Sequence, residues 1–385
     1  MAGNGNYLRL LLARLHRLRE EAGLLPADVE ERLILGPGWI ARFEAGESTP
    51  SLGVLLSVLR VLGKGLPDLL EGLPGRIEDS AFERQAWAEQ LGKDLVVHFQ
   101  YGDFDAAYVL PGANTEQFDL VIKTLRDGLS RLVASDAAVN EAIKTDSVAK
   151  AFLTAARAWP HANPSDLWWF VIYRAYCDPF NHPAQFARLD FTQSWKRTAG
   201  WALEEVLVRH YGPYLKRKGV NLFIAPSDVK ERLLSTVRVR DRLEADKIDV
   251  LLTGDAGRGE ELFGVVHVKA SFAERRTDDV PMSRALIKAG YTSPLWTMDC
   301  KSMPARNPVN KGELGQALHR GPDERSAKRK DIESDGYFSA CFSYNSNTIP
   351  TPSGAKARAR IHVCDFNNPD DAFSRFIIES WGKRK

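Results

Sequence analysis

Three residues have the types and the context for metal-assisted attack on a phosphodiester: Asp249, Lys269 and Glu204. That chemistry needs two or three carboxylates around a divalent cation and a lysine near the attacking water and the scissile phosphate. Asp249 is a polar residue leading into the apolar run Val250 to Leu252. Lys269 closes a run of apolar residues that begins at Leu262, where a charge is costly to bury unless it is paired. Glu204 lies upstream of both, in a long amphipathic stretch. Any one of these residues alone is more often an ordinary polar group at the end of an element. Their order and strand context together favour a site.

Such a site needs an α/β frame, and the pattern from about residue 192 onward predicts one. A long helix over Gln193 to Lys218 precedes strand-like runs at Val220 to Ile224, Lys247 to Leu252, Leu262 to Ser271, Leu295 to Asp299, Tyr337 to Tyr344 and Arg360 to Asp365. Helices at Val280 to Ala289 and Asp371 to Trp381 alternate with them, which predicts a mixed, largely buried sheet. The glycine-rich segment 254–259 reads as a hairpin turn rather than a phosphate loop.

Upstream, residues 78 to about 190 read as mainly helical. Periodicity near 3.6 marks Glu116 to Leu132 and Asp136 to Ala158, Pro160 and Pro164 act as breakers, and the apolar run 167–176 suits a buried helix. Residues 7–73 read as short helices at Arg9 to Ala22, Ala27 to Ile34, Trp39 to Ala45, Leu52 to Leu62 and Pro67 to Leu70. The expected organisation is an all-α N-terminal domain (1–75), a helical domain (76–190) and a C-terminal α/β domain (191–385).

Bulk properties narrow the function classes. With 44% hydrophobic and 26% charged residues the composition is that of a globular protein, and no run approaches the roughly 18 apolar residues of a membrane span. The apolar N-terminal stretch is cut by Arg9, Arg14, Arg17 and Arg19 and lacks a signal-type cleavage site, so a cytoplasmic location is expected. The four cysteines are scattered without metal-ligand spacing, which points to reduced thiols. A net charge of +2 does not announce a nucleic-acid binder, but basic clusters do occur at Arg238–Arg242, Arg275–Arg276 and Arg325–Lys330. No P-loop, GxSxG or HExxH pattern is present.

Residues 18–24, 40–51 and 55–59 closely resemble the Cro/repressor-type helix-turn-helix family. The resemblance implies that Trp39 to Phe43 is the recognition helix, with Gly38, Trp39, Ala41 and Arg42 toward DNA, Ile40 and Phe43 in the core, and Glu44 tying helix to helix. Ala27 stands where many members place a bracing Gln. The order Glu204, Asp249, Lys269 resembles the PD-(D/E)xK nuclease superfamily over roughly residues 195–365, which implies Mg²⁺ as cofactor. Ile248 replaces the Pro of the motif and His267 its second acid. Members that read CCGG-type sites relocate this acid to the next helix, which here points to Asp278 or Asp279.

Glu274 and Arg275, followed by Arg276, are similar to a motif in which the acid reads cytosine and the Arg reads guanine, although Ala273 stands where those enzymes carry a basic residue. Together these features are most like the BsaWI-type restriction endonucleases. The resemblance implies a homodimer that cuts double-stranded DNA at a short palindrome with CC and GG steps, accompanied by a cognate DNA methyltransferase. The helix-turn-helix would add a DNA contact, locate an allosteric copy or repress the enzyme's own promoter. The alternative is a transcriptional regulator whose C-terminal domain has lost cleavage.

Overall fold

The computed structural model describes residues 4–45, 52–71, 87–101, 104–132, 137–177, 191–236, 248–255, 257, 259–272, 276–300, 310–315 and 326–384. The chain divides into two compact units, Met1–Arg84 and Gln85–Lys385.

The first unit is all helical: α1 (Asn4–Glu21), α2 (Pro26–Leu33), α3 (Trp39–Glu44), α4 (Leu52–Val61) and α5 (Leu66–Leu70). Leu15, Leu18, Val29, Ile40, Phe43, Val58, Leu59 and Leu69 form its core, as their helical spacing dictates. The turn between α2 and α3 closes at Gly38, whose φ of 75° lies in the left-handed region that a side chain disfavours. Two carboxylates lock α3 in place. Buried Glu30 accepts the backbone N–H of Gly38 (3.0 Å) and of Ile40 (2.8 Å), satisfying donors that a helix start leaves orphaned. Glu44 accepts from Arg19 Nε at 2.7 Å and lies 2.6 Å from His16 Nδ1, so α3 is tied to α1 as the family resemblance implied.

The second unit opens with a feature the periodicity did not predict. An antiparallel meander, β1 (Trp87–Leu91), β2 (Asp94–Tyr101) and β3 (Phe104–Leu110), stands ahead of the helices. Helices α6 (Thr115–Leu129), α7 (Ala137–Ala158) and α8 (Pro164–Cys177) follow, and then the 27-residue α9 (Phe191–Arg217). Beyond α9 come β4 (Val220–Phe223), α10 (Ser227–Thr236), β5 (Val250–Asp255), β6 (Glu260–Lys269), α11 (Arg276–Lys288), β7 (Leu295–Thr297), α12 (Ala327–Glu333), β8 (Cys341–Ser343), β9 (Ile361–Val363) and α13 (Ala372–Gly382).

All six expected strands join one sheet in sequence order, β4 to β9. β4, β5 and β6 pair antiparallel, and β6 through β9 pair parallel. The expected hairpin turn is the β5–β6 connection, with Asp255 opposite Glu260. One apolar core spans the meander, α6 to α9 and the sheet, with Leu95, Phe152, Trp168, Leu203, Val250, Val268, Phe342 and Trp381 among its members. The helical stretch and the sheet therefore lie in one compact unit. α13 packs on the sheet through Phe373 against Phe342 and Trp381 against Phe263. Trp381 lies over Gly254 of β5 so closely that any Cβ there would overlap the indole. Among the described residues no helix is long and apolar enough to cross a membrane.

Candidate active site and nucleic-acid interface

The antiparallel pairing of β5 with β6 places the residue just before β5 beside the end of β6. Asp249 and Lys269, 20 positions apart, meet there: Asp249 Oδ2 accepts from Lys269 Nζ at 2.7 Å and from the backbone N–H of Val268 at 2.7 Å. Both residues are buried, so pairing is what makes the lysine's charge tolerable at the end of an apolar strand. Glu204 comes from α9, which packs across β4 and β6. Burial and the neighbouring charge of Asp249 push its pKa up to about 8, while the ammonium groups of Lys230 and Lys269 act in the opposite sense.

His267 lies two residues before Lys269 and is fully buried. Its Nε2 lies 2.9 Å from Ser293 Oγ, its ring meets Phe338 edge-on, and burial lowers its pKa to about 4, so it is a neutral core residue. A carboxylate from α11 comes close to both His267 and Lys269. Asp279 Oδ1 lies 3.5 Å from Lys269 Nζ and 3.9 Å from His267 Nδ1. Of the two acids expected there, Asp279 is thus placed at the cluster, whereas the side chain of Asp278 lies outside the described residues.

The donor set fits a hard divalent cation. Glu204 and Asp249 are two buried carboxylates whose charges act on each other, a repulsion that a cation would relieve. Among the described residues no group of three or more His, Cys, Asp or Glu forms a ready-made metal cage.

The remaining sequence expectations divide in two. Glu274 and Arg275 lie outside the described residues, as does the side chain of Arg276 at the start of α11. In the first unit, Gly38, Ala41 and Arg42 are exposed. Arg42 Nε donates to the Gly38 carbonyl at 3.3 Å, at the N-terminal end of α3. Trp39 is half-buried, its ring 5.5 Å from that of Phe43, so it presents only part of its surface. Lys230 was not visible in the sequence pattern: its neighbour is a backbone carbonyl, and no spacing rule marks that contact.

A sheet that runs antiparallel from β4 to β6 and parallel from β6 to β9, with Asp and Lys facing each other across β5 and β6, is a PD-(D/E)xK restriction-endonuclease-like core. Comparison with known proteins agrees. Residues 10–71 match a helix-turn-helix domain family. The chain is 39% identical over 241 residues to the type II restriction enzyme AgeI of Thalassovita gelatinovora, spanning 60% of this chain and 83% of that enzyme. A crystal structure of a specific AgeI–DNA complex superposes with a TM-score of 0.61 at 34% identity, covering 74% of this chain and 99% of that one. A pre-specific BsaWI–DNA complex aligns at a TM-score of 0.35 and 16% identity, too low to define a shared fold. The chain belongs to the family of type II restriction enzymes that includes AgeI, and it carries a helix-turn-helix domain in addition.

Proposed function

We propose that the protein is a Mg²⁺-dependent, site-specific deoxyribonuclease that hydrolyses both strands of double-stranded DNA at a short palindrome containing CC and GG steps. What supports this reading is the meeting of Asp249, Lys269 and Asp279 at one end of β5 and β6, with the charge of Asp249 acting on Glu204 of α9, in a chain of the AgeI family. Asp249 and Glu204 would hold the ion, with Asp279 positioned beside Lys269. Bound there, Mg²⁺ would acidify a coordinated water and offset charge on the phosphate. Lys269, held between Asp249 and Asp279, orients the attacking water and stabilises the charge that develops on the phosphate oxygens. Glu274 and Arg275, helped by Arg276, are the base-reading groups: the guanidinium matches guanine O6 and N7, and the carboxylate matches cytosine N4.

A palindromic target cut on both strands calls for a two-fold symmetric homodimer, and a cognate methyltransferase would protect the host's own sites. Gly38, Ala41 and Arg42, with the exposed part of Trp39, give the helix-turn-helix a second DNA contact. Digestion of plasmid DNA with Mg²⁺ tests the assignment. Discrete fragments should appear, and Lys269→Ala should abolish them while DNA binding persists. Sequence-specific retention of DNA with no cutting in Mg²⁺ or Mn²⁺ would instead make the protein a regulator built on a nuclease fold.

A further inference from the structure

The charge of Lys269 is engaged by two carboxylates, Asp249 at 2.7 Å and Asp279 at 3.5 Å. A second lysine stands at the same site on different terms. Lys230, half-buried on α10, donates from Nζ to the backbone carbonyl of Ile248, the residue immediately before Asp249. An ammonium has three donors, and this bond to a neutral oxygen uses one of them. That bond sets the ammonium against the residue that precedes Asp249, and its charge also acts on Glu204. We propose that Lys230 is a substrate-binding residue that donates to a non-bridging oxygen of the scissile phosphate.

This inference rests on the nuclease reading. It divides the labour between the two lysines: Lys269 is held by acids for the attack, and Lys230 carries the free donors that dock the anion. Lysine suits the second task, because its compact ammonium on a flexible stem binds phosphate as a point charge.

The test is a chemical double-mutant cycle on the full chain, with Ca²⁺ replacing Mg²⁺ so that binding is read without cutting. A duplex bearing the target, identified from the fragment ends of the plasmid digest, carries one uncharged methylphosphonate at a time along its backbone. Lys230→Met should bind the unmodified duplex about tenfold more weakly, as expected for a lost charged hydrogen bond. The magnitude of its salt slope should fall by about 0.9. At the scissile position, neutralisation should cost the wild type about tenfold more than it costs Lys230→Met, with Lys230→Arg restoring the difference. Lys230→Met and wild-type penalties that coincide at every phosphate would overturn the proposal, even if the variant is less stable. A wild-type protein that cuts no duplex would overturn the nuclease reading itself.

Discussion

His267 and Asp279 show how one residue's environment decides what it can do. A histidine sealed in the core beside Ser293 and Phe338 stays neutral and offers no carboxylate. Asp279 of α11, by contrast, brings one within 3.5 Å of Lys269, which is why the proposed mechanism takes its acid from there. Asp279→Asn should therefore lower the cleavage rate by roughly 10²-fold, the scale for losing a group that orients a metal site, while Asp278→Asn should leave it nearly intact. Single-turnover rates on a cognate duplex decide between them, and equal losses would refute the assignment. Asp249 and Lys269 were legible in the sequence because a charge adjoining an apolar strand demands an explanation. Asp279 was legible only as one of a pair, since the difference between positions 278 and 279 is a matter of helix phase. Lys230 was invisible for the reason already given.

At the scale of elements, the strands of the main sheet were readable because each is a short apolar run bounded by turns. The meander was not, although Gly92–Lys93 closes a two-residue hairpin between runs of alternating character, a recognised signal. It was masked by the helical periodicity that follows from Thr115. The first unit offers a direct test of what fixes α3. Glu30→Ala should cost about 1–2 kcal/mol by freeing two backbone N–H groups, comparable to loss of a helix cap. Hydrogen exchange of the amides of Gly38 and Ile40 is the readout, and unchanged protection would show that Glu30 is dispensable.

The segment after β7 carries a pH dependence. Asp299, at a positive φ of 48°, accepts the N–H groups of Glu313 and Leu314, and burial pushes its pKa up from 3.8 to about 6. Asp166 is raised to about 6 for the same reason. Because the folded state holds these protons more tightly than the unfolded chain, the stabilisation is full below about pH 4 and is lost as the pH rises through about 6. Between about pH 4 and 6 these two acids should add a downward slope to thermal stability, opposed by the buried neutral His267. The slope is read as the difference between the wild type and variants lacking the acids. Asp299→Asn should remove part of that slope, and the double variant with Asp166→Asn most of it.

For the whole molecule, the AgeI structure is covered to 99% by 74% of this chain, so about a quarter of the chain has no counterpart in it. The first unit, 84 of 385 residues, is of that order. Deletion of residues 1–75 should therefore leave cleavage at the same sequences while weakening overall DNA affinity. Loss of sequence preference in that variant would make the helix-turn-helix part of target reading. The other end of the chain has the opposite character. Trp381 caps the strand that Asp249 leads, and Asp371, the N-cap of α13, accepts a hydrogen bond from Tyr211 of α9, the helix that carries Glu204. The two elements that present the acids are thus braced by one helix, α13. Loosening α13 would therefore be felt at Asp249 and at Glu204 together, although it touches neither side chain.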